Sequence, residues 1–134
     1  MEKIIDKIFG EMEYKHSWTK IDSFIFLNKA YVVNIIAQAY KGDEILESQQ
    51  KNYIKYKDFL QQNNSEIEIK LATYCEELYH ANGKIDEYLE PKQIIFERDG
   101  SWGILFESDY DIENGVAVFF VDGKIKVGTQ DQFI

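Results

Sequence analysis

The sequence predicts an α+β fold: an antiparallel sheet with a helical hairpin packed on one face, in the order β-β-β-α-α-β-β-β-β. Three observations predict it. Apolar and polar residues alternate with period two in the opening third of the chain and again in the last third. Between these blocks, apolar residues recur at intervals of three and four. A sheet and a helix pair that each carry one apolar side bury both by packing together. With one proline, Pro91, and no internal repeat, no linker is visible, so residues 1–134 are expected to form a single domain.

The first block is read as strands at residues 11–15, 23–27 and 31–40, the polar pair Asn28-Lys29 turning between the last two. In the third strand, Val33, Ile35, Ala37 and Ala39 alternate with Val32, Asn34, Ile36, Gln38 and Tyr40. That pattern predicts one dry face and one mixed face. A turn at residues 41–43 ends the block. The first helix then carries Tyr53, Tyr56 and Leu60 along one stripe, with Ser48 as its cap. The second opens on a capping box formed by Ser65 and Glu68. It buries Ile67, Leu71, Tyr74, Cys75 and Leu78, and stops at Asn82-Gly83, where a glycine is free to turn left-handed. Strands at 93–97 and 101–107 are joined by Asp99-Gly100, and strands at 116–121 and 124–127 by Asp122-Gly123. Both dipeptides favour a two-residue type I′ hairpin.

Charge narrows the function classes. Acidic residues outnumber basic ones 24 to 15, a formal net charge of -9, so attraction to phosphate backbones or anionic lipid is disfavoured. Neither nucleic acid nor membrane is expected as a partner. Residues 1–40 hold five acids and five bases, which leaves the whole excess to residues 41–134. The single cysteine, Cys75, excludes an intramolecular disulfide, and a reducing cytoplasm is the expected compartment. No apolar run approaches the roughly 20 residues that span a bilayer.

Several catalytic chemistries find no support. Counted from Asp109, a calcium loop needs glycine at its sixth position and glutamate at its twelfth, where Asn114 and Phe120 stand. A metal centre would have to draw on His16, His80 and Cys75 as soft donors; Cys75 and His80 are five apart on a predicted helix and diverge. Gly123-Lys124 lacks the rest of a phosphate loop and lies between strands. No metal, cofactor or catalytic residue is therefore expected. Nine Tyr, nine Phe and two Trp make the aromatic content the more informative excess. It fits helix stripes packed on a sheet, and it also fits rigid rings at a protein interface.

The segments Gly103-Ile104-Leu105-Phe106, Asp111-Ile112-Glu113-Asn114-Gly115-Val116-Ala117-Val118 and Val127-Gly128-Thr129-Gln130-Asp131 together resemble a family of small bacterial domains of unknown function with a terminal Gly-x-Gln-Asp motif. Phe9-Gly10-Glu11, Trp18 and the pair Gln49-Gln50 before the tyrosine-rich helix are similar to the same group, so the likeness runs along most of the chain. The resemblance implies an immunity-type protein beside a bacterial toxin, with no catalytic role for the motif. Trp102, Asp109, Asp111, Glu113, Gln130 and Asp131 are the expected contacts to a basic partner protein. Gly115, Asn114, Gly128, Gln130 and Asp131 also have a structural reading, as residues that shape and satisfy loop corners. Two further readings stay open: a ligand-binding or enzymatic pocket between sheet and helices near Trp102, Asp111 and Asp131, and a homodimer formed through an exposed sheet edge.

Overall fold

The computed structural model describes residues 2–133. Eight strands follow one another across a single sheet in chain order: β1 (Lys3–Asp6), β2 (Gly10–Tyr14), β3 (Trp18–Phe26), β4 (Lys29–Ala37), β5 (Leu89–Phe96), β6 (Trp102–Ser108), β7 (Val116–Val121) and β8 (Lys124–Gly128). Helices α1 (Glu47–Gln62) and α2 (Asn64–Tyr79) connect β4 to β5. The α+β class and the helix pair between two strand blocks match the sequence reading. The strand order requires two corrections. Four strands precede the helices rather than three, because Lys3-Ile4-Ile5-Asp6 is a four-residue edge strand too short to show a period. The sheet is also not antiparallel throughout: β4 and β5 run parallel, with Ile35 beside Ile94 and Ile36 beside Ile95. A parallel pair needs a long crossover, and the helical hairpin supplies it.

Both helices cover the same face. Trp18, Phe24, Phe26, Val33, Ile35, Ile94, Phe96, Trp102, Ile104, Phe106, Val118 and Phe120 rise from the strands to meet Tyr56, Leu60, Ile67, Leu71 and Cys75. Each such buried large side chain contributes about 1.5–3 kcal/mol relative to exposure. Rings dominate the middle of this layer, where Phe9, Tyr53, Tyr56, Phe59, Phe96, Trp102 and Phe120 form a connected cluster. Most of the aromatic excess is thus core. The Tyr56 hydroxyl is buried there with no hydrogen-bond partner among the described residues, and burial drives its ionisation to higher pH.

Buried amides tie α1 to the parallel seam. Gln49 is fully buried; its Nε2 donates to the carbonyls of Gln38 (2.8 Å) and Phe96 (2.9 Å), and its Oε1 accepts from the Leu46 amide (2.8 Å). Every polar atom of the side chain is engaged, which makes an uncharged buried group affordable to the core. Gln50 donates to Asp6 Oδ1 at 2.9 Å, while Asp6 Oδ2 accepts from the amides of Ile8 and Phe9.

The helix ends depart from the sequence reading. Leu46, not Ser48, is the N-cap of α1, and the reciprocal bond comes from Gln49 three residues on. Ser65 lies inside α2, which starts at Asn64, so its capping box does not form. α2 stops at His80, whose φ of 55° lets the Ala81 amide reach the Cys75 carbonyl, ahead of the predicted stop at Asn82-Gly83. Leu78 points outward, 56% exposed, rather than into the core.

Among the hairpins, Asp122-Gly123 is the expected two-residue turn, both residues having positive φ. Asp99-Gly100 is not. Glu97 faces Ser101 across a three-residue loop in which only Gly100 is left-handed. The turn between β3 and β4 falls at Leu27-Asn28, one residue earlier than expected, both with positive φ.

Candidate functional site

The loop from 109 to 115 joins β6 to β7 and holds three of the predicted contact residues. Its shape is set by Asp111, whose Oδ1 accepts from the Asn114 amide (3.1 Å) and whose carbonyl accepts from the Gly115 amide (2.9 Å). The Tyr79 hydroxyl at the end of α2 donates to Asp111 Oδ2 at 3.0 Å, anchoring the loop to the helix layer. Gly115 has φ 62°, and a Cβ there would lie 2.7 Å from the Phe106 carbonyl oxygen, so space and backbone both require glycine. Gln130 closes the corner from the other side: its Nε2 donates to the same Phe106 carbonyl (3.1 Å) and its amide to the Asn114 carbonyl (3.3 Å).

These bonds separate the predicted residues into two groups. Asp111 and Gln130 are half-buried latches that hold the corner together. Asp109, Glu113 and Asp131 are exposed, and Asp131 stands in the 3₁₀ turn Gln130–Gln132 next to the latch. Trp102 belongs to neither group, which corrects its assignment as a surface contact. It is 6% exposed, enclosed by Tyr56, Phe59, Phe96 and Phe120. It also starts β6, about 20 Å along the strand from the loop that follows Ser108. No pocket can therefore be built from Trp102, Asp111 and Asp131 together.

Two residues that the sequence reading passed over lie between the acids. Ile112 is 87% exposed and Tyr110 44% exposed, the latter stacked on Tyr79 (6.1 Å between centroids) and edge-on to Tyr88 (5.1 Å). The signal was present in the alternation of acidic and apolar residues over 109–113, within a segment that is not a strand. Tyr74, Tyr79, Tyr88 and Tyr110 thus back the loop with rings on one side. Burial raises the Tyr79 phenol, reinforced by its bond to Asp111. Burial likewise raises Tyr74, with Asp111 and Asp131 adding to it, and pushes Tyr88 up to about 12. All three stay neutral hydrogen-bonding groups at ordinary pH.

The nearby thiol has no nucleophilic character. Cys75 is fully buried, and burial alone pushes it up to about 11. Among the described residues, no group of three or more His, Cys, Asp and Glu side chains is placed to hold a metal ion. Nor is any described helix long and apolar enough to cross a membrane. The corner presents a latched backbone, outward carboxylates and two exposed apolar side chains, a negatively charged surface. No family model, curated protein or solved structure matches the chain.

Proposed function

We propose that this chain is a non-catalytic bacterial protein-binding domain of the immunity type, which neutralises a basic partner through the corner at residues 109–113. The observation that carries the reading is the exposure of Ile112 and Tyr110 between Asp109 and Glu113 on a loop locked by Asp111 and Gln130. An exposed apolar pair inside a charged rim on a rigid support has the anatomy of a contact hot spot. The net charge of -9 would speed encounter with a basic surface. Latches fit the same reading, since a preorganised loop loses less entropy when it docks.

The test is co-expression with the product of the adjacent reading frame, scored by growth and by calorimetric affinity. Protection should be lost in Ile112→Asp and weakened at least tenfold in the double charge reversal Asp109→Lys, Glu113→Lys, with a salt dependence that flattens in the latter. A neighbouring product that is harmless, or protection indifferent to all three positions, would remove the proposal.

A second reading, a ligand-binding or enzymatic domain with a pocket between sheet and helices, has one observation in its favour. The buried Tyr56 hydroxyl lacks a partner among the described residues. Against it stands the ring cluster packed around Tyr56, which leaves an open surface cleft of about 440 Å³ lined by Tyr56, Phe59, Trp102 and Phe120 rather than an enclosed site.

A further inference from the structure

We propose that the bare half of the open sheet face, on β1 to β4 with the adjoining edge of β5, is a homodimer interface in which two copies pack sheet on sheet. The face opposite the helices is formed by alternate residues of every strand. Over β5 to β7 it carries its own small core of Ile95, Leu105, Ala117 and Phe119, against which Phe133 packs. Over β1 to β4 none of the described residues covers it. Ile5 is 87% exposed, Ile21 and Ile25 73% and Val32 71%, with the small or uncharged Ser23, Ala30 and Asn34 between them.

Area and charge both point to a second copy as the occupant. The five strands have 4, 5, 9, 9 and 8 residues, which at about 4.8 Å spacing and about 3.3 Å per residue give a footprint of about 550 Å². Counted over both copies this reaches the roughly 1,000 Å² total that a specific interface needs, at the weak end of the range. On the bare half itself Lys3 and Lys15 stand against Glu11 and Glu13, with Lys15 in an ion pair with Glu13, and on the adjoining edge of β5 Glu90 is paired with Lys92. The net charge of -9 therefore lies on the helices, turns, loops and the other face. Two copies repel each other in most orientations, and least when these neutral faces meet. A basic partner, by contrast, is drawn to the acidic surfaces and not to this one. A two-fold contact of this kind is isologous, each Ile21, Ile25 and Val32 cluster lying against its counterpart. Branched side chains on facing sheets about 10 Å apart interdigitate as in a sandwich.

Edge pairing is the weaker geometry for the same oligomer. β1 offers four residues and β8 carries Lys124 and Lys126, the charges that keep edges apart. The acidic corner is tied to the helix layer through Tyr79, so a dimer through the open face leaves it free for another partner.

Sedimentation equilibrium on the full chain from about 1 μM to about 1 mM tests this. The wild type should form a dimer within that range. Val32→Lys and, separately, Ser23→Lys should weaken it at least tenfold, with unchanged circular dichroism, since both positions are exposed and make no side-chain hydrogen bond. Asp109→Lys should leave the dimer constant within twofold. A wild type that stays monomeric throughout, or a dimer that survives both lysine substitutions, overturns the proposal.

Discussion

The two halves of the open sheet face solve the same problem in different ways. On the carboxyl half, the chain covers its own apolar residues. Phe133 stacks on Phe119 at 4.8 Å and 8° between planes, and Gly103 and Gly128 leave room for Phe119 and for Gln132 and Phe133. On the amino half, residues of similar character, Ile5, Ile21, Ile25 and Val32, remain uncovered. The hydrophobic driving force per unit area is the same in both places. The difference is that, among the described residues, the 3₁₀ turn Gln130–Gln132 brings Phe133 onto one patch and nothing is brought onto the other. Intramolecular cover contributes to folding stability, whereas a bare patch of this size contributes only when something else meets it.

Disturbing the packed apolar side chains of the covered half should therefore reduce stability, and replacing the exposed apolar side chains of the bare half should not. The largest effect is expected from Gly103→Ala. Its Cβ would enter the ring of Phe119 in a packed layer, a loss of about 3 kcal/mol in urea unfolding. A loss below about 1 kcal/mol would mean that this second core yields easily. Phe133→Ala removes the stack but leaves Phe119 in place, and about 1–2 kcal/mol should be lost.

Acid separates the halves by sign. Partial burial alone would raise the Asp6 carboxyl, but the Phe9 and Ile8 amides, Gln50 and Lys7 outweigh it and hold it below its ordinary 3.8. A lowered carboxyl contributes stability above its unfolded value and loses it as pH falls through the folded one. Asp6→Ala, at the first turn of the amino half, should cost about 1 kcal/mol at neutral pH and progressively less in acid. Glu97, at the β5–β6 turn, behaves in reverse. Burial, and then the Asp99 charge, raise its carboxyl above 4.5, so it opposes folding at neutral pH and ceases to do so as pH falls through the raised value. Glu97→Gln should raise the neutral-pH midpoint slightly and flatten the acid dependence. The smallest effect belongs to Ile25→Ser in the bare half, less than about 0.5 kcal/mol at a protein concentration low enough to hold the monomer.

Much of the fold was legible in local pattern, because alternation and helical spacing report burial directly. Val33, Ile35 and Ala37 are buried on one face of β4 as their spacing requires, and Asp122-Gly123 turns as its residues favour. What was not legible depends on contacts distant in sequence. The parallel seam joins residues about sixty positions apart, and nothing in either strand specifies the direction of the other. Leu46 and Leu27 are unusual residues for a helix cap and a left-handed turn; they hold those places because Gln49 and the core packing around Leu27 support them.

At the candidate site, the acids of 109–113 and the latching role of Gln130 could be read from composition and turn chemistry. Trp102 could not be placed that way. A tryptophan in an alternating strand fits a buried face as well as a docking surface, and only the rings of α1 and β7 decide between them. Tyr110 and Ile112 were missed because isolated apolar residues in loops are common on protein surfaces. Their exposure stands out once the loop is seen to be latched.

The contrast between a half sealed by its own chain and a half proposed to meet a second copy is tested most directly by isotope-filtered NOE spectroscopy on a mixture of methyl-labelled and unlabelled protein. Intermolecular signals should connect the methyls of Ile21, Ile25 and Val32 across copies, while Leu105 and Ala117 show only signals within one chain. Intermolecular signals at Leu105, or none at Ile21, Ile25 and Val32 at millimolar concentration, would contradict it.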